Sequence, residues 1–137
     1  MNRKELQQLA SVRLKEAEVL LRNGFPDGAY YIAGYAAECA IKACISRSTD
    51  RHEFPDKKRA LASHAHNLGE LIGVAELKTE LTSAEKTDPK FSQYWGIVRD
   101  WSEQSRYERL TVQQAEALIN ALRDGKHGVM RWLKQYW

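Results

Sequence analysis

The chain has 137 residues, the size of one domain with a single hydrophobic core. Apolar residues make up 43% and charged residues 28%, an ordinary globular balance, and a formal net charge of +3 is too small to indicate nucleic-acid binding by itself. No apolar run approaches the length of a membrane span, and the N-terminal segment lacks the apolar core of a signal peptide, so we expect one domain over residues 1–137 in the cytoplasm.

The first predicted element is an amphipathic helix from Asn2 to Asn23. Its apolar residues recur at intervals of three and four, which is the spacing of one helix face: Leu6, Leu9, Ala10, Ala17, Leu20 and Leu21. Gly24 follows directly and is typical of a helix stop. Because the connection over residues 24–28 is short, we expect this helix to form an antiparallel hairpin with the next one.

The second predicted helix, residues 25–47, contains the densest run of small apolar residues in the chain. Its alanines leave one side thin, so neighbouring helices can approach closely. Two charged residues, Glu38 and Lys42, lie in the middle of this helix, where an unpaired buried charge is costly. Their i,i+4 spacing, with the glutamate first, allows them to pair, which contributes about 0.2–0.5 kcal/mol on an exposed face.

The same helix carries both cysteines of the chain, Cys39 and Cys44. At about 100° per residue their side chains point about 140° apart, so they cannot form a disulfide with each other within the helix. We therefore expect two free, buried thiols of a cytosolic protein.

The middle of the chain is predicted to contain a loop followed by short helical segments. Residues 48–63 combine Pro55 with many charges and few apolar side chains, which favours a solvated loop. Residues 64–73 are predicted to form a short helix, and residues 74–84 to continue it after a bend at Gly73.

Two further helices are predicted in the C-terminal part of the chain. Asp88 and Pro89 suit the cap and the first turn of a helix that extends to about Gln104. A break over residues 105–110 precedes the last helix, for which Thr111 is a suitable cap. We expect no capping box there, because the nearest glutamate lies too far along the chain.

Helical periodicity is the dominant pattern along the chain. No segment alternates apolar and polar residues with the period of two that marks a strand, and no internal repeat is present. The sequence therefore predicts an all-α, up-and-down bundle of about five helices in a single domain.

Three short segments stand out when they are taken in chain order. They are Ala-Glu-Cys-Ala-Ile-Lys-Ala at residues 37–43, His-Asn-Leu-Gly-Glu-Leu at residues 66–71, and Trp-Ser-Glu-Gln-Ser-Arg-Tyr at residues 101–107. Their order and spacing resemble the HEPN domain family (higher eukaryotes and prokaryotes nucleotide-binding), and the resemblance covers nearly the whole chain. In that family a second helix rich in tyrosine and alanine carries a Glu and a Lys at this spacing, and an Arg-Tyr pair precedes the last helix.

The resemblance implies an up-and-down helical bundle, usually a homodimer, that binds a nucleotide or RNA. Many members are encoded beside a minimal nucleotidyltransferase as a toxin and antitoxin pair, and some are metal-independent ribonucleases. Three alternatives follow: a nucleotide- or RNA-binding module in a toxin–antitoxin or defence pair, a ribonuclease toxin, and a non-catalytic subunit that only holds a partner protein. We predict no cofactor and no membrane association.

Arg106 and Tyr107 are candidate ligand-binding residues. A guanidinium group matches the geometry of phosphate, and a neighbouring aromatic ring can stack on a base. The structural alternative is that Arg106 pairs with Glu38, which would compensate the buried charge, and that Tyr107 fills the core. Glu38 and Lys42 are part of the same predicted site, because we expect them to face the Arg106 region.

His66 is a further candidate, either as a ligand-binding residue or as a residue that caps or supports its own helix. A zinc site is a third way to use a histidine, but it requires a recognised ligand spacing. His64 and His66 do not have that spacing with Cys39 or Cys44, so no metal site is predicted.

The ribonuclease alternative would use Arg123 and His127, the closest match to the Arg–His motif of the ribonuclease members. Three residues separate the pair, fewer than in that motif. A histidine that titrates near neutral pH can take the 2′-hydroxyl proton, and an arginine can stabilise charge on the phosphate. One helical turn separates the two residues, so they can share a helix face. The other interpretation is a solvated C-terminal turn whose charges complement the helix dipole.

Overall fold

The hairpin of the first two helices is the scaffold of the molecule. In the computed structural model, which describes residues 1–49 and 57–137, α1 spans Arg3–Arg22 and α2 spans Pro26–Thr49. The two helices pack extensively against each other, as their short connection predicts. Gly24 in that connection has a φ of +83°, a conformation that glycine adopts without strain.

The remaining helices are shorter, and most of them pack on α2 or on a helix that contacts it. In chain order they are α3 (Lys57–Ala62), α4 (Leu68–Val74), α5 (Lys78–Thr87), α6 (Pro89–Arg99), a 3₁₀ helix (Glu103–Tyr107), α7 (Val112–Arg123) and α8 (Val129–Leu133). The described residues contain eight α-helices and no strand, which confirms the all-α class. The number exceeds the predicted five because turns divide the predicted segments and because α3 forms within the predicted loop. None of the described helices is both long and apolar enough to cross a membrane.

α2 lies at the centre of the hydrophobic core. Every residue from Ala36 to Ile45 except Lys42 is buried. The thin face that its small residues predict is present: the indole of Trp101 lies directly against the α2 backbone at Gly34, where there is no room for a Cβ. α2 therefore positions the segment that contains the 3₁₀ helix.

The prediction of a loop over residues 48–63 is wrong in part. α2 continues past Arg47, and the hydroxyl groups of its last two residues donate to the Ile45 carbonyl, which satisfies an acceptor of the final turn. α3 occupies the end of the predicted loop. The rest of that prediction, residues 50–56, lies outside the described residues.

The helix predicted over residues 64–73 begins later than expected. α4 starts at Leu68 because Asn67 caps it, with Asn67 Oδ1 accepting the Glu70 N–H at 2.9 Å. His66 therefore precedes the helix and is not its cap. This position leaves its ring free to contact other elements.

The bend after α4 falls at Glu76 and not at Gly73. Gly73 lies inside α4, whereas Glu76 has a φ of 62° in the left-handed region. This turn separates α4 from α5, so the prediction of one continuing segment over residues 74–84 is wrong.

The predicted start of α6 is confirmed. Asp88 Oδ1 accepts the backbone N–H groups of Lys90 and Phe91 at 3.1 Å each, and Pro89 is the first residue of the helix. The helix ends at Arg99, earlier than predicted, and the chain then forms the 3₁₀ helix.

The cap of α7 is confirmed, but the expectation of no capping box is wrong. Thr111 Oγ1 accepts the Gln114 N–H at 3.1 Å, and Gln114 Oε1 accepts the Thr111 N–H at 2.9 Å. Glutamine closes such a box as well as glutamate does. The spacing of a capping box, with three positions from Thr111 to Gln114, is present in the sequence.

Candidate functional site

A buried carboxylate on α2 is the centre of a polar cluster. The Glu38 side chain is 3% exposed, and its two oxygens have different partners. Oε1 lies 2.9 Å from His66 Nδ1, and Oε2 lies 3.5 Å from Lys42 Nζ. The second ring nitrogen, His66 Nε2, lies 3.5 Å from Glu103 Oε2 in the 3₁₀ helix. We call these four residues the Glu38 cluster.

The Glu38 cluster compensates the charge that the sequence places in the core. Removing a carboxylate from water costs several kcal/mol unless cations and hydrogen bonds compensate it. The predicted i,i+4 pairing with Lys42 is present, but the shorter contact is with His66. Both ring nitrogens of His66 face carboxylate oxygens, one from α2 and one from the 3₁₀ helix.

Arg106 and Tyr107 lie on the surface at the end of the 3₁₀ helix. The Tyr107 ring is 76% exposed, and the guanidinium carbon of Arg106 lies 5.1 Å from its centroid. Arg106 forms no ion pair with any residue that the structure describes. The structural alternative, in which Arg106 pairs with Glu38 and Tyr107 fills the core, is therefore wrong.

The cluster and the Arg106–Tyr107 pair are linked through Glu103. In a 3₁₀ helix the side chains at i and i+3 eclipse, so Glu103 and Arg106 lie on the same face. Glu38 and Lys42 thus reach this segment through His66 and Glu103. They make no direct contact with Arg106 in the described part of the chain, which differs from the expectation that they face it.

Arg123 and His127 do not share a helical turn, because α7 ends at Arg123. Arg123 Nη1 lies 3.5 Å from Glu18 Oε1 on α1. His127 Nδ1 lies 2.7 Å from Asp88 Oδ2 at the start of α6. The two side chains are therefore held by different elements, and the premise of a common helix face is wrong.

His127 is positioned by two aspartates. Its ring contacts Asp88 Oδ2, and its backbone N–H donates to Asp124 Oδ1 at 2.7 Å. The hydrogen bond from His127 holds the pKa of Asp88 below its ordinary value, together with the backbone N–H groups of α6. The backbone N–H groups of His127 and Lys126 lower the pKa of Asp124 in the same way.

Both cysteines are free and buried, as predicted. Burial raises the pKa of the Cys39 thiol, and it raises the pKa of Cys44 to about 12. Neither thiol is suited to nucleophilic chemistry. No group of three or more histidine, cysteine, aspartate or glutamate side chains within residues 1–49 and 57–137 has the geometry to hold a metal ion.

Sequence reasoning missed two residues that organise these sites. Glu103 holds the second nitrogen of His66, and Asp88 holds His127 in addition to capping α6. The Asp-Pro dipeptide predicted that Asp88 caps the helix. Its contact to His127 joins residues far apart in the chain, and no local pattern encodes such a contact.

The fold and these contacts define an all-helical domain in which a buried charge cluster adjoins an exposed arginine–tyrosine pair. A family model of the HEPN domain matches residues 4–134, which is nearly the whole chain. The protein belongs to the HEPN domain family, and the resemblance inferred from the three segments is confirmed. Searches of curated proteins and of solved structures found no match.

Proposed function

We propose that this HEPN domain is a module that binds a nucleotide or RNA at the surface formed by Arg106, Tyr107 and the adjoining Glu38 cluster. The observation that carries the proposal is the exposed Arg106–Tyr107 pair. A phosphate needs an accessible guanidinium group, and a base needs an accessible aromatic face. Both requirements are met by adjacent residues on a segment that packs on α2.

The members of the Glu38 cluster have different roles in this proposal. Glu38 is buried, so it acts on a ligand only by holding its neighbours. His66 has a side chain that is 48% exposed, and both nitrogens of its ring contact carboxylates. Lys42 pairs with Glu38 and is mostly covered. His66 is therefore the cluster residue best placed to touch a ligand.

A titration with labelled single-stranded RNA tests the proposal. Arg106→Ala and Tyr107→Ala are each expected to weaken binding, the tyrosine variant by about 1–3 kcal/mol because a stacking platform is lost. Arg131→Ala is a matched control, because Arg131 is an exposed arginine on α8. Fluorescence anisotropy at one fixed salt concentration measures the affinities. Wild-type affinity in both site variants would place the ligand elsewhere.

We also propose that the protein acts as a homodimer in a toxin–antitoxin or defence pair with a minimal nucleotidyltransferase. Membership of the HEPN family supports this context. Val12 and Val19, seven residues apart on α1, are both about half exposed and offer apolar surface to a second copy. Light scattering at micromolar concentration should give the mass of a dimer. The mass of a monomer would contradict the homodimer. A co-expressed nucleotidyltransferase that does not co-purify with the protein would contradict the proposed pair.

The second candidate function is a metal-independent ribonuclease, and the contact between His127 and Asp88 favours it. A carboxylate on Nδ1 orients the ring and leaves Nε2 for a substrate proton, which suits a general base. Arg123 is half exposed although it contacts Glu18, so it can reach a phosphate on the surface.

RNA cleavage in the presence of EDTA decides between the two candidates. If the protein is an enzyme, His127→Ala abolishes cleavage and Asp88→Asn, which keeps a capping side chain, lowers it. If the wild-type protein does not cleave RNA, the binding module is the function that remains. The absence of both cleavage and nucleotide or RNA binding would leave a non-catalytic interaction subunit.

A further inference from the structure

A pocket of about 300 Å³ adjoins the Glu38 cluster, between the start of α4 and the 3₁₀ helix. Its lining includes His66, Asn67, Glu70, Trp101, Glu103 and Gln104. The volume is at the lower end of the range for small-molecule sites, so it suits one ring system better than a whole dinucleotide. The site proposed above therefore has a concave part beside the exposed Arg106–Tyr107 pair.

Two carboxylates, those of Glu70 and Glu103, are among the side chains that line this pocket. Glu70 is exposed, and its carboxylate has no hydrogen bond or ion pair with the residues that the structure describes, whereas its backbone N–H donates to Asn67 Oδ1. Glu103 uses one oxygen to contact His66. Two carboxylates repel a phosphate group and accept hydrogen bonds, so a part of the ligand that presents N–H donors suits this pocket.

We infer that this pocket takes a nucleobase whose edge presents two adjacent N–H donors, as guanine does. The ring N–H and the exocyclic amino group of guanine lie side by side, and the two oxygens of one carboxylate can accept from both. Glu70 is the carboxylate that this inference assigns, because neither of its oxygens has a partner within the described chain. Adenine and cytosine place an acceptor nitrogen beside the amino group, which a carboxylate oxygen repels.

The His66 ring supplies a platform for the base. Glu38 Oε1 lies 2.9 Å from His66 Nδ1 and Glu103 Oε2 lies 3.5 Å from Nε2, so contacts on both sides orient the ring while about half of the side chain stays accessible. Histidine rings are among the side chains on which unstacked bases lie. A fixed ring face loses little entropy when a base stacks on it.

The sugar and phosphate would extend from this pocket toward Arg106. Glu103 on the pocket wall and Arg106 are separated by one 3₁₀ turn, about 6 Å of rise. That separation is comparable to the span from a base to its own phosphate. The inference rests on the proposed function and adds base selectivity to it.

Titration calorimetry with GMP, IMP, AMP, CMP and UMP tests the inference. GMP is expected to bind about 5- to 150-fold more tightly than AMP, with IMP between them because it lacks the amino group. Glu70→Gln replaces one acceptor with a donor and should remove most of this preference. Glu116→Gln, an exposed glutamate on α7, is the control and should keep it.

Arg106→Ala separates this inference from the function on which it rests. Loss of the phosphate contact should weaken all five nucleotides and leave their ratios unchanged. Equal affinities for all five in the wild type, or a GMP preference that survives Glu70→Gln, would overturn the guanine pocket while nucleotide binding stands. The absence of binding to any nucleotide or RNA would overturn both.

Discussion

At the scale of single residues, the cost of burying Glu38 determines the arrangement around it. A carboxylate that is 3% exposed needs several partners, and the chain supplies Lys42 from the same helix and His66 from the segment before α4. The pairing with Lys42 follows from sequence spacing. The pairing with His66 joins residues 28 positions apart and depends on how α4 packs on α2.

Removal of His66 is expected to destabilise the fold, because the buried Glu38 carboxylate then keeps only Lys42 as an ion-pair partner among the described residues. We expect His66→Ala to lower the free energy of unfolding by about 1–3 kcal/mol, the usual cost of a lost partner for a buried polar group. Urea denaturation measures this change in the free energy of unfolding. His64→Ala, at an exposed histidine nearby, is the control. Adding Glu38→Gln to His66→Ala should recover part of the loss. Equal midpoints for His66→Ala and wild type would contradict this account.

The contact between His127 and Asp88 predicts a dependence of stability on pH. Because the pKa of Asp88 in the folded protein lies below its ordinary value of 3.8, the contact stabilises the fold fully above about pH 4 and is lost as the pH falls through the folded pKa. The difference in the free energy of unfolding between wild type and His127→Ala should therefore disappear as the pH falls below about 4. NMR titration should show the pKa of Asp88 rising in the variant. An unchanged Asp88 pKa would contradict the contact.

At the scale of elements, the sequence predicted what depends on local chemistry. The stop at Gly24 and the caps Asp88 and Thr111 are confirmed, because each uses hydrogen bonds within a few residues of itself. The start of α4 was misplaced because apolar spacing alone extended it upstream of the Asn67 cap. The 3₁₀ helix was missed because its residues carry no periodic apolar pattern and because its contacts with α2 are tertiary.

The packing of Trp101 on α2 predicts opposite effects for two glycine substitutions. In a helix, Gly→Ala usually stabilises by about 0.5–1 kcal/mol. At Gly34 a new Cβ would overlap the Trp101 indole, so overpacking by about 1–3 kcal/mol should outweigh this gain and Gly34→Ala should destabilise. At Gly96 in α6 nothing lies within 4 Å of an added Cβ, so Gly96→Ala should stabilise. Thermal denaturation compares the two, and a stabilising Gly34→Ala would contradict the close approach.

At the scale of the whole molecule, the last helix closes the core. α8 is too short to be stable alone, yet Val129, Met130, Trp132 and Leu133 are all buried. Burial of such a side chain contributes about 1.5–3 kcal/mol, so detaching the four would cost about 6–12 kcal/mol. This is comparable to the 5–15 kcal/mol stability that is typical of a whole domain. We therefore expect α8 to separate only when the entire bundle unfolds.

Cys44 reports on this coupling because it lies beneath α8. Its sulfur lies 3.6 Å from the Leu133 carbonyl oxygen, and burial raises its pKa to about 12, so it should not react in the folded state at neutral pH. In a Cys39→Ala background, the free energy of opening derived from thiol alkylation should therefore equal the free energy of global unfolding from urea denaturation. Trp132→Ala should lower both quantities together, since it weakens the interface of α8 with the core. Alkylation that is much faster than global unfolding allows would show instead that α8 opens independently, and the bundle would then not be a single cooperative unit.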